Sequence, residues 1–111
     1  MFNKTKTYEP EFNNRLPEDE KLTVTIKVLN RFDFVRLTTF TEEIILNQTV
    51  EYLEFEKTLL EKYATVKKGN EVIPITEIIE DARYGILVQD IVTQLLNFSI
   101  LPNPVKKKSN G

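Results

Sequence analysis

The chain has 111 residues, 41% apolar and 29% charged, with a net charge of −2. This is the composition of one modest globular domain, and no apolar run approaches the ~18 residues that a membrane-spanning helix needs. Neither cysteine nor histidine occurs. Their absence excludes disulfides, thiolate nucleophiles, sulfur-ligated metals and imidazole chemistry near neutral pH.

The small net charge hides blocks. Residues 1–20 carry Lys4, Lys6 and Arg15 against five acids, and residues 21–40 reverse this with Lys21, Lys27, Arg31 and Arg36 against Asp33. Residues 41–64 hold six Glu against Lys57 and Lys62, and the chain ends in Lys106-Lys107-Lys108. Blocks of alternating sign can pair within a fold or along an assembly. They make no continuous basic footprint, so nucleic-acid binding is not expected.

Residues 1–20 contain Pro10 and Pro17, show neither helical nor strand periodicity, and read as an extended arm that Tyr8, Phe12 and Leu16 could anchor. The domain proper is expected over residues 21–101. It opens with the clearest strand in the sequence, 21–29, where Leu22, Val24, Ile26 and Val28 alternate with Thr23, Thr25 and Lys27. Residues 30–40 mix Phe32, Phe34 and Val35 without a clear period and are expected to be irregular or weakly helical. Thr39 and Glu42 have capping-box spacing, Asn47 offers a second cap, and a helix is expected over 48–63. Its apolar stripe reads as Val50, Leu53 and Leu60, flanked by Tyr52, Phe55, Leu59 and Tyr63, with Glu51, Glu54 and Glu61 facing out.

A hairpin is expected over 65–75, turning at Lys68-Gly69-Asn70, with its second strand at the sheet edge because Pro74 cannot donate to a ladder. Thr76 is placed to cap a short helix over 77–83, and Gly85 to break the chain before a helix over 86–98. Pro102 and Pro104 end regular structure, leaving 102–111 as a flexible basic tail. The expected fold is α+β: a small antiparallel sheet packed with these helices.

Catalytic equipment is hard to find. Ser99 and Ser109 lack a nucleophile-elbow setting and a histidine base, and Gly69, Gly85 and Gly111 cannot form a phosphate-cradling loop. The acids of the 48–63 helix read as a solvated face, since no Asp-rich loop or second carboxylate helix accompanies them. The expectation is a protein that is not an enzyme, with no cofactor, metal or small-molecule substrate.

The last helix is the most informative segment. Leu87, Val88, Ile91, Val92, Leu95 and Leu96 recur at helical spacing, and Ile86, Phe98, Ile100 and Leu101 widen the stripe. One small sheet is not expected to cover so broad an apolar surface, so Leu87, Val88, Ile91, Val92, Leu95, Leu96 and Phe98 are the expected partner-binding residues. The partner would be a hydrophobic helical protein or a second copy of the chain.

The order of features resembles a known family. Tyr8-Glu9-Pro10 and Phe12 lead into Leu16-Pro17-Glu18-Asp19-Glu20, then the 22–29 strand and the Glu-rich helix. Gly69-Asn70-Glu71-Val72-Ile73, Ile75-Thr76, Tyr84-Gly85 and the Leu87-to-Leu96 helix follow, with Ser99-Ile100-Leu101 and Lys108-Ser109-Asn110 at the end. Across residues 8–110 this resembles the small tail assembly chaperone-like proteins of tailed bacteriophages; the Phe32–Phe40 stretch departs from that pattern. The resemblance implies a non-catalytic protein in the cytoplasm of a bacterial host that shields the hydrophobic, helical tape-measure protein until the tail tube forms around it. The alternative is a structural subunit of a phage virion, in the tail or connector.

Overall fold

The computed structural model describes residues 4–44 and 50–100, with the side chains of residues 40–44 excepted. Strands β1 (Thr5–Tyr8), β2 (Leu22–Lys27), β3 (Ala64–Lys68) and β4 (Glu71–Ile73) form one antiparallel sheet in the order β1-β2-β3-β4. Helices α1 (Arg31–Ile44) and α2 (Val50–Tyr63) fill the connection from β2 to β3, while α3 (Ile75–Glu80) and α4 (Gly85–Phe98) follow β4. The fold is α+β. No described helix is long and apolar enough to cross a membrane.

The sheet follows from strict alternation. Leu22, Val24 and Ile26 are buried while Thr23 and Thr25 are half-buried on the other face. Val24 pairs with Val66 on one side and Tyr8 on the other, and Ile26 pairs with Ala64, so this face of the sheet is apolar at its centre, with Lys6 opposite Ile26 and Lys68 opposite Leu22 at its margins. Thr7 and Thr25, opposite each other on the outer face, share a 2.8 Å hydroxyl hydrogen bond. The β3–β4 hairpin turns through Gly69 and Asn70, and Gly69 has φ +62°, a conformation that costs a residue with a Cβ more than it costs glycine. β4 is an edge strand, and Pro74, directly after it, stands at the N-cap position of α3.

The first twenty residues are part of this domain, contrary to the expected separate arm. β1 completes the sheet, and the 3-10 turn Glu11–Arg15 buries Phe12 and Asn13. Asn13 pins the turn by pairing with both backbone groups of one residue. Its Nδ2 donates to the Leu22 carbonyl and its Oδ1 accepts from the Leu22 N–H, each at 2.8 Å. A single amide thus does what a strand neighbour would do at the start of β2. Tyr8, Phe12 and Leu16 all pack on the core, as anchors should. The tail at 102–111 and the Asn47 cap lie outside the described residues.

Residues 31–44 form a full helix, where the sequence suggests irregular or weakly helical structure over 30–40. The start is set by Asn30, whose Oδ1 accepts the Asp33 N–H at 2.8 Å in N-cap geometry, while the Phe34 N–H donates to the Asn30 carbonyl. Thr39 is not a cap. It lies inside α1 with its hydroxyl donating to the Val35 carbonyl. In the segment expected as a helix over 77–83, the α-helix instead spans 75–80 without a side-chain cap. Asp81 then caps a separate 3-10 turn, Ala82–Tyr84, by accepting the Arg83 N–H at 2.9 Å.

α1 and α2 run as an antiparallel hairpin held at its base by one carboxylate. Asp33 accepts the Tyr63 hydroxyl at 2.7 Å and Lys62 Nζ at 3.1 Å, and the Tyr63 oxygen accepts the Asn30 N–H. Further along, the Arg36 guanidinium lies over the Phe55 ring, 6.0 Å from its centre. The Tyr63 hydrogen bond, followed by Lys62 and Arg36, lowers the Asp33 pKa below its usual value. A depressed folded-state value means this stabilisation is present above the ordinary carboxylate range and is lost as pH falls through the depressed value. Asp33→Asn should therefore weaken the hairpin base by about 1–2 kcal/mol at pH 7. Hydrogen exchange should quicken at the first turns of α1 and leave β2 and β3 unchanged. Equal acceleration in the sheet would show that the clamp supports the whole fold instead.

Candidate functional site

The residues expected to bind a partner turn out to form the centre of the protein. Leu87, Ile91 and Leu95 have 0% exposure, Val88 and Val92 are buried, and Leu96 and Phe98 are half-buried against the core. Four elements close around α4: β2, the 3-10 turn of the N-terminal segment, α3, and the 3-10 turn Ala82–Tyr84. The expectation of a free surface fails because the first twenty residues supply the missing cover. The Phe12 ring lies tilted against Tyr84 with the ring centres 5.6 Å apart, Tyr8 donates to Asp90 Oδ2 at 3.2 Å, and Lys6 donates to Gln94 Oε1 at 3.1 Å. Burial, reinforced by the Asp90 carboxylate, raises the Tyr8 pKa, so its hydroxyl stays a proton donor. In this fold the five buried side chains are not available to a partner.

Apart from Ile86 in the first turn of α4 and Ile100 just beyond it, the exposed large apolar side chains lie elsewhere, and four of them are on the hairpin. Phe32 is 81% exposed and Val35, one turn on, 59%; Val50 is 70% exposed and Leu53, again one turn on, 44%. The α2 stripe is rotated from the one the sequence suggests. Tyr52, Glu56, Leu59, Leu60 and Tyr63 are the buried positions, while Val50 and Leu53 face out. The buried set follows i, i+4, i+7, i+8 and i+11, and it is masked in the sequence because its second member is a glutamate.

That glutamate is the most unusual group in the described structure. Glu56 is 7% exposed, and its Oε2 accepts the Tyr52 hydroxyl at 2.9 Å. Among the described residues nothing donates to Oε1. It lies in the wall of a groove of about 380 Å³ between α2, α3 and the start of α4, lined also by Tyr52, Leu53, Ile78, Ile79, Val88 and Gln89. Glu80 and Asp81 contribute two further carboxylates, and no basic residue lines the groove. Lys57 approaches Glu80 at 3.9 Å and Arg83 binds Asp81 at 2.7 Å, which holds the Asp81 pKa down to about 2. Burial raises the Glu56 pKa, partly opposed by the Tyr52 hydrogen bond. The described residues contain no group of three or more acids placed to hold a metal ion.

Comparison with protein-family models, curated proteins and solved structures found no match.

The Glu56 environment has a direct consequence for stability. Its folded-state pKa lies above the ordinary 4.5. The contribution it makes is therefore fully present below that value and is lost as pH rises through the folded-state value, where an ionised carboxylate must stay buried. Glu56→Gln keeps the shape and an acceptor for Tyr52 without the charge. It should raise the melting midpoint by about 2–5 °C at pH 7, with the gain vanishing at pH 4. A gain of the same size at both pH values would show that ionisation of Glu56 costs the fold nothing.

Proposed function

We propose that the protein is a non-catalytic binding protein that holds a hydrophobic helical segment of another protein against its α1–α2 hairpin. Phe32 carries this reading: a phenylalanine at 81% exposure, followed one helical turn later by an exposed Val35. Large aromatic side chains left in water are favoured anchors of protein interfaces, and two adjacent antiparallel helices offer a groove that a third helix can enter. The contact would be apolar at its centre, with Glu51, Glu54 and Glu61 of α2 exposed around it. Rim charges of this kind are individually weak and are screened by salt, which suits a contact that must later release.

Resemblance to the tail assembly chaperone-like proteins of bacteriophages supplies the biological setting: shielding the tape-measure protein during tail morphogenesis in the bacterial cytoplasm. Relocation of the binding surface from α4 to the hairpin leaves that setting intact, because the family likeness rests on the order of elements. The second reading, a structural subunit of the virion, would place a neighbouring subunit on the same exposed face.

Co-expression with a long apolar helical phage protein should raise that protein's soluble fraction. The double substitution Phe32→Ser with Val35→Ser should remove the effect while the melting midpoint stays within about 2 °C, because both side chains are already in water. Ile91→Asp, by contrast, should unfold the chain. If the double variant protects the client as well as the wild type does, the hairpin is not the binding surface. Stoichiometric recovery of the chain from purified virions would replace the chaperone with the structural subunit.

A further inference from the structure

We infer that the groove between α2, α3 and the start of α4 is a binding site for a primary ammonium or guanidinium group carried on an aliphatic stem. The site joins a nearly desolvated carboxylate to an apolar channel. Glu56 is 93% buried, the complement of its 7% exposure, and among the described residues only Tyr52 donates to it, at Oε2. A carboxylate removed from water with an open lone pair is costly unless a cation or further donors complete it. A cationic head with two or three N–H donors would satisfy Oε1, while Leu53, Ile78, Ile79 and Val88 line a path for methylene groups. The volume, about 380 Å³, falls within the range of small-ligand sites.

Charge settles which ligand class fits. Every ionisable group lining the groove other than Tyr52 is acidic: Glu56, Glu80 and Asp81. Glu80 and Asp81 already pair with Lys57 and Arg83, so an anion or nucleotide would find no free cation on the lining and would face the Glu56 carboxylate. A divalent metal would need several oxygen ligands converging at one point, and no such convergence exists among the described residues. A monocation with an organic stem needs only one buried carboxylate and an apolar wall. Its second end, if charged, would meet Glu80 and Asp81. This departs from the absence of small-molecule ligands expected from the sequence, because in the sequence Glu56 is one of six glutamates in a charged block and nothing marks it as inward-facing. Two sources share the chemistry: a free amine, and the side chain of a lysine or arginine presented by a protein.

The test is an amide-resolved NMR titration of the full-length chain with butylammonium, with 1-butanol as the neutral control. Saturable shifts centred on Ile79, Gly85, Val88 and Gln89 are expected with butylammonium and not with butanol. Glu56→Gln, which keeps its fold by its melting midpoint, should weaken butylammonium binding about tenfold or more. Parallel titrations with cadaverine and with an acetylated, amidated lysine separate the two sources by which saturates at the lower concentration. Equal responses to butylammonium and butanol, no saturable shift, or full retention of binding in Glu56→Gln would each overturn the assignment. Because the hairpin reading is tested through Phe32 and Val35, failure here leaves that reading standing, and its failure leaves this one.

Discussion

Burial of the broad apolar stripe of α4, which leaves the side of Ile86, Gln89, Thr93 and Asn97 to water, is the constraint on which the rest of the architecture depends. Leu87, Ile91 and Leu95 have no exposed surface, and Val88 and Val92 widen the buried stripe beyond what one neighbour can cover. A sheet face shields one side of a helix, so the remaining apolar surface needs other elements. The chain meets this need from far and near in sequence, with its first twenty residues and with α3 and the turn at Ala82–Tyr84, all of which pack against α4. In a chain of 111 residues, where the buried fraction of surface is limited by size, such wrapping gathers most of the hydrophobic stabilisation around one helix.

The closing of this core rests on a few polar groups whose geometry is satisfied with little redundancy. Asn13 takes both backbone groups of Leu22, Ser99 Oγ accepts the Leu29 N–H at 2.9 Å, and Tyr8 reaches Asp90. The last two join segments 70 and 82 residues apart, and each places a hydrogen bond where a backbone or phenolic group would otherwise be left unpaired. These are the contacts that turn an unpatterned, proline-containing segment into part of the sheet and its cover.

Alternation and turn chemistry were legible in the sequence, and long-range polar pairing was not. The 22–27 strand, the hairpin around Gly69 and the edge position before Pro74 follow from periods and residue types that act locally. β1 was invisible because Thr5–Tyr8 is mostly exposed and is held by its partner strand rather than by its own pattern. α1 was ambiguous because its β-branched and aromatic residues have modest helix propensity, and only the Asn30 cap with the Asp33 clamp makes the helix unambiguous. Glu56 was misread for a sharper reason. An acid among acids reads as solvent-facing, and only the buried register of Tyr52, Leu59, Leu60 and Tyr63 on either side of it shows that it points inward.

The same distinction separates the two surfaces proposed to bind. The body is locked by apolar packing around α4 and against Leu59, Leu60 and Tyr63 of α2, whereas α1 joins it through Leu37, Phe34 and the Asp33 cluster, with Phe32 and Val35 facing water. Stability is therefore concentrated away from the exposed apolar face, and a partner can bind there without disturbing the core. α2 connects the two regions. Its outer side presents Val50 and Leu53, its inner side Glu56, and Leu53 also lines the groove that Glu56 floors. A ligand that completes the Glu56 carboxylate would remove an electrostatic cost from α2 itself and so stabilise the helix that forms half of the hairpin surface. On these two proposals, occupation of the groove and docking on the hairpin would be coupled through one helix, and reciprocally, since whatever firms α2 for one ligand firms it for the other.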